Sequence, residues 1–124
     1  MIDFKNGACF KLKKADGVPH EKMISPILVG GEKILEEYKG VRDYVVFTTH
    51  RIVAVNVQGM TGKKQDFTSL PYSKIQAFSI ETAGTLDLDS ELEIYFSGLG
   101  KVIFEFGGSC NITEIGQLIS ERVL

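Results

Sequence analysis

Glu91-Leu92-Glu93-Ile94-Tyr95-Phe96, Ser97-Gly98-Leu99-Gly100, Lys101-Val102-Ile103-Phe104-Glu105-Phe106, Gly107-Gly108, and then Asn111-Ile112-Thr113-Glu114-Ile115-Gly116-Gln117-Leu118-Ile119-Ser120-Glu121-Arg122-Val123-Leu124 form the stretch in which the chain changes its period. Leu92, Ile94 and Phe96 alternate with Glu91, Glu93 and Tyr95, and after a glycine turn Val102, Phe104 and Phe106 continue the alternation. Alternation of this kind describes strands with one apolar face. Beyond Gly107-Gly108 the apolar residues Ile112, Ile115, Leu118, Ile119 and Val123 fall on one helical stripe. Asn111 and Glu114 have the capping-box spacing that satisfies free amides at a helix start. Gly116 lies inside this helix and costs it about 1 kcal/mol relative to alanine, so it marks a place where another part of the chain comes close.

Upstream of this stretch the text is nearly all strand. Ile34 to Lys39 alternates and ends at Gly40, and Tyr44-Val45-Val46-Phe47 is β-branched and aromatic. Thr48-Thr49-His50 breaks the run before Ile52 to Val57, so the two runs read as a hairpin. Gly59 to Lys64 turns the chain into a short strand around Asp66 to Leu70, which Pro71 closes. Ile75 to Thr82 is a fifth run, and Ala83 to Ser90 is an acidic turn. That makes seven antiparallel strands followed by one amphipathic helix, which is expected to lie across the open mouth of the curled sheet. The first thirty residues are the least regular. They hold one short strand candidate, Phe10 to Lys13, and a helical turn at His20 to Ile24 that must stop before Pro26. The expected organisation is an irregular arm over residues 1–30 packed on a domain spanning 31–124.

At 124 residues the chain is one domain of ordinary size and composition. Its net charge of −2 offers no global field for nucleic acid or an anionic membrane, so either would need a local basic patch. No apolar run approaches the length of a membrane span, and the first ten residues carry Asp3 and Lys5 instead of an apolar segment. The expected compartment is the cytoplasm. Cys9 and Cys110 are accordingly expected to be reduced.

Arg42-Asp43, Phe47-Thr48-x-x-Arg51, Gly59-x-Thr61-Gly62-Lys63-Lys64, Ser69-x-Pro71-Tyr72-x-x-Ile75 and Glu81-Thr82-Ala83-Gly84-Thr85-x-Asp87-x-Asp89-x-Glu91-Leu92 stand in order along the chain. This run resembles the bacterial pleckstrin-homology (PH) domain family, first catalogued as a domain of unknown function, over residues 28–122. The resemblance implies a mainly β, PH-like barrel of two near-orthogonal sheets capped by the C-terminal helix. It also implies ring-like homo-oligomers in which edge strands pair between subunits, and it supplies no ligand. On that basis the strand Asp43 to Thr48, its hairpin and the N-terminal arm are the surfaces expected to meet partners. Arg42, Asp43, Tyr44, Arg51, Lys63 and Lys64 are the candidate contact residues, with Arg42-Asp43 and Arg51 holding strands or subunits together.

No chemistry is nominated by the remaining motifs. Gly59-Met60-Thr61-Gly62-Lys63-Lys64 has too few residues between its glycines for a phosphate loop, and Lys64 stands where the hydroxyl belongs. Asp87-x-Asp89-x-Glu91 lacks the glycine and the closing glutamate of a calcium loop, and reads as a solvated turn whose charges discourage wrong edge pairing. His20, His50, Cys9 and Cys110 stand at no zinc-type spacing, and no serine sits in an elbow motif. The two imidazoles read as solvated. No catalytic residue, metal or cofactor is expected. The leading expectation is therefore a non-enzymatic interaction or scaffold module that self-assembles and binds a protein or peptide. The alternative is an adaptor for anionic lipid headgroups in which Lys39 and Arg42 touch phosphate, although the loop carrying them is short and Asp43 offsets its charge.

Overall fold

The computed structural model describes residues 1–4 and 9–124. Among the described residues eight strands run in the order β1 (Cys9–Lys14), β2 (Ile34–Lys39), β3 (Tyr44–Thr48), β4 (Arg51–Gln58), β5 (Lys64–Pro71), β6 (Ile75–Glu81), β7 (Ser90–Phe96) and β8 (Gly100–Phe106). A short helix α1 (Glu21–Ile24) and a 3-10 turn lie between β1 and β2, and α2 (Ile112–Val123) ends the chain. The protein is thus mainly β with a C-terminal helix, and the helix has the boundaries its apolar stripe requires.

The strand count corrects the expectation of seven. The strand candidate Phe10 to Lys13, not counted among the seven, falls within β1, which sits in the middle of the hydrogen-bonded order β5-β4-β3-β2-β1-β8-β7-β6. Lys13 and Lys14 of β1 lie antiparallel to Lys39 and Tyr38 of β2. Its other edge runs parallel to β8, with Cys9 opposite Phe104 and Leu12 opposite Phe106, so the sheet is not wholly antiparallel. Three steps along β1 match two along β8, and Lys11 absorbs the difference with φ of 50°, the left-handed conformation of a bulge. Because β1 stitches the two halves together, the ladder is one continuous, curled sheet. It does not close, and β5 and β6 are its two ends.

The concave side holds the main core, built from Leu12, Phe47, Ile52, Leu92, Ile94, Phe104 and Phe106 and completed by Ile112, Ile115 and Ile119 of α2. Asn111 caps α2, its side chain accepting from the amide of Glu114 at 3.2 Å. A β-carbon on Gly116 would lie 3.1 Å from Cδ1 of Ile80, which is the close approach the glycine foretold and seats the helix against β6. A second, smaller core lies on the other side of β3 and β4. There Ile24, Ile27 and Leu28 cover Tyr44, Val46, Val53 and Val55.

That second core corrects the expected role of Asp43 to Thr48. With β2 on one side and β4 on the other, β3 is an interior strand, and every residue from Tyr44 to Thr48 is buried. A strand buried on both faces reads as a continuous apolar run, as this one does.

Candidate functional site

The candidate residues separate into two groups at opposite ends of β4. At its start, the Arg51 guanidinium donates through Nε and Nη2 to the two carboxylate oxygens of Glu32 at 2.8 and 2.7 Å. Nη2 also reaches the Ile27 carbonyl at 2.7 Å, and Nη1 reaches the Ser69 hydroxyl at 3.0 Å. Glu32 further accepts from the Thr48 hydroxyl at 2.6 Å and the Val29 amide at 3.0 Å. The donation from Arg51, opposed by burial and reinforced by Thr48 and Val29, pulls its carboxyl down to about 2. Arg51 therefore bolts the segment that precedes β2 onto β4 and β5.

At the other end of β4, Arg42 donates through Nη2 to the Gly59 carbonyl and ties the β2–β3 turn to the β4–β5 turn. Asp43 faces inward, accepting from the Val57 amide at 3.0 Å and from the Asn56 side chain. Lys39, Lys63 and Lys64 are exposed around these turns. Val41 and Met60 stand wholly out of the protein at the two tips. Arg42-Asp43 and Arg51 thus hold strands together within one chain.

Tyr44 is not a surface residue. Its ring is fully buried and stacked on His20 at 3.8 Å between centroids, and its hydroxyl donates to Gln65 at 2.8 Å. Burial, and then the Glu37 carboxylate, push the phenol up to about 12. His20, expected to be solvated, instead bonds the buried Glu37 twice, through its amide at 3.0 Å and Nδ1 at 2.6 Å. His50 is exposed and bonded to Thr49. Cys110 is a free thiol donating to the Leu12 carbonyl at 3.4 Å, while the side chain of Cys9 lies outside the described residues. Among the described residues no group of three or more His, Cys, Asp or Glu side chains could hold a metal ion, and no helix is long and apolar enough to cross a membrane.

Sequence reading missed the surface around the β6 end of the ladder. β6 pairs with β7 along Ala77–Tyr95, Ser79–Glu93 and Glu81–Glu91, with an irregularity between Ile75 and Ala77. Across β7 the same rows continue to Lys101, Ile103 and Glu105 of β8. Three carboxylates, Glu81, Glu91 and Glu105, therefore stand side by side on the outward face. Burial first, then the charges of Glu81, Glu93, Glu105 and Asp87, hold the Glu91 carboxyl above the usual range. Beside this row is an open hollow of about 180 Å³ lined by Ala77, Phe78, Ser79, Glu93, Ile94, Tyr95 and Lys101. The alternation of β7 and β8 predicted the outward face. The register that aligns the three glutamates was not visible in it.

A curled, open, mainly β sheet capped by a C-terminal helix defines a PH-like domain. The chain belongs to the bacterial PH domain family, whose model matches residues 3–123. It is 51% identical over 102 residues to the uncharacterized protein YjqA of Bacillus subtilis (strain 168), covering 81% of this chain and 82% of that one. Among solved structures it is similar to a DUF1696 family protein with a pleckstrin-homology domain from Shewanella loihica PV-4, at TM-score 0.80 and 31% identity, covering 93% of this chain and 99% of that one. A pleckstrin homology domain from Shewanella amazonensis SB2B is similar at TM-score 0.69 and 37% identity, covering 89% and 90%.

Proposed function

We propose that this domain is a non-catalytic interaction module of the cytoplasm. In this reading it accepts extended strands at the ends of its ladder, assembling with copies of itself into a homo-oligomer and holding a protein or peptide partner. The observation that carries the reading is the free edge of β6. A seven-residue strand, in regular register from Ala77 to Glu81, ends the ladder there, and among the described residues β6 pairs only with β7. Unpaired amides and carbonyls along such an edge are a template for another chain. The opposite edge is less open, because the Met1 amine reaches Asp66 at 2.9 Å and the Ile2 amide reaches the Thr68 hydroxyl at 3.1 Å.

Light scattering tests the assembly, with amide hydrogen exchange across β6 read at several protein concentrations. Self-association predicts a mass above that of one chain and slower exchange along β6 as concentration rises. A monomeric mass at every concentration removes self-assembly from the reading. The alternative, an anionic-lipid adaptor, has one observation in its favour: the exposed Val41 and Met60 tips beside Lys39 and Arg42. It predicts vesicle binding that weakens with salt and in Lys39→Ala, and equal retention by neutral and anionic vesicles disposes of it.

A further inference from the structure

The β6 edge carries a chemical preference in its own surroundings. A strand added beside β6 would place alternate side chains next to Ala77, Ser79 and Glu81, the outward row of that strand. At one end of the row lies the hollow of about 180 Å³, whose outward-facing lining is Ala77, Ser79, Glu93, Lys101 and Tyr95, which is half exposed. At the other end Glu81 begins the line of three carboxylates through Glu91 and Glu105. Like charges directly opposite one another on neighbouring strands are unfavourable. The outward face of β6–β8 holds four carboxylates, Glu81, Glu91, Glu93 and Glu105, against the single ammonium of Lys101, which lies 3.7 Å from Glu93. Nothing in the described structure neutralises the row at Glu81.

We infer that the β6 edge takes a basic extended segment of another protein. A Lys or Arg of that segment lies opposite Glu81, and an apolar side chain two to four positions away fills the hollow against Tyr95. The free backbone edge gives affinity without regard to sequence, and the hollow and the acidic row select the sequence. On the inward side the next residues of the added strand meet Phe78 and the exposed part of Ile80, so apolar residues suit those positions as well. The inference rests on the reading of β6 as a strand-accepting edge, and specifies what that edge accepts.

The probes are two synthetic peptides of seven residues, the length of β6. One carries a single lysine, with valine at the positions two and four residues from it on the same face and at the positions between, and the other carries glutamate in place of that lysine. Binding to the full chain is measured by calorimetry, with amide hydrogen exchange to locate it. The lysine peptide is expected to bind about fivefold more tightly for its matched charge pair, to weaken as salt rises, and to slow exchange along β6. Glu81→Gln together with Glu91→Gln, both on the surface row, should abolish the preference and leave the backbone-driven binding in place. Equal binding of the two peptides, or a lysine preference untouched by the double substitution, overturns the basic preference while the strand-accepting edge survives. Failure of both peptides to bind, with no change in exchange along β6, overturns the edge reading itself. If the lysine peptide binds only by lowering the mass of a homo-oligomer, the occupant is a second copy of the chain, and the assignment to a foreign segment is wrong.

Discussion

Replacing Glu32 by glutamine keeps the shape of the Arg51 anchor and removes its charge. The Glu32 side chain is fully buried and accepts from two guanidinium nitrogens, one hydroxyl and one amide. Its carboxyl ionises at about 2 in the folded chain, against an ordinary 4.5. The folded value lies below the unfolded one, so the stabilisation is complete above about pH 4.5 and is lost as pH falls through about 2. That gap corresponds to about 3 kcal/mol. Near neutral pH the glutamine variant leaves the guanidinium without its counter-charge, at a cost of about 3 to 5 kcal/mol. Urea unfolding followed by circular dichroism, at about pH 7 and again at about pH 2, reads both effects. The parent should lose about 3 kcal/mol more between those conditions than Glu32→Gln does. If the two proteins lose stability in parallel on acidification, the Glu32 carboxylate is not what acid titrates, and the reasoning fails.

Three further substitutions test the packing. Ile119→Ala removes a fully buried side chain of α2 from the main core, and thermal melting should show a loss of about 2 to 5 kcal/mol. Gly116→Ala adds a β-carbon 3.1 Å from Ile80, so its helix-propensity gain of about 1 kcal/mol should appear only when Ile80 is also changed to alanine. A gain in the parent background would show that Ile80 yields freely. Lys11→Gly relieves a left-handed residue that costs about 1 to 2 kcal/mol, so despite glycine's looser unfolded state the variant should melt no lower than the parent.

Much of the fold was legible because it is written in local periodicity. The alternation of Leu92, Ile94 and Phe96 gave the buried face of β7, and the stripe from Ile112 to Val123 gave α2 with its cap. What escaped depends on partners distant in sequence. Phe10 to Lys13 could be read as a short strand, but nothing in its local pattern places it between β2 and β8. The Glu32–Arg51 and Glu37–His20 bonds join residues 19 and 17 positions apart, across loops whose path no periodicity describes. Tyr44 was misjudged although Tyr44-Val45-Val46-Phe47 carried the signal. Four apolar residues in a row have no outward side, and the cover they require is Ile24, Ile27 and Leu28. The candidate site fared least well, because the meeting of Glu81, Glu91 and Glu105 depends on register between three strands.

The parallel seam between β1 and β8 sets an order on biogenesis. The thiol of Cys110 bonds the carbonyl of Leu12 across 98 positions of sequence, and every ladder contact at that seam spans nearly as far. A ribosome releasing the chain delivers β2 to β5 early, and those neighbours zip as local hairpins. The central strand must wait for β8 to emerge before it is bound on both sides. Until then Leu12 and the concave faces of the early hairpins lack their cover, so the nascent form stays adhesive until β8 has emerged.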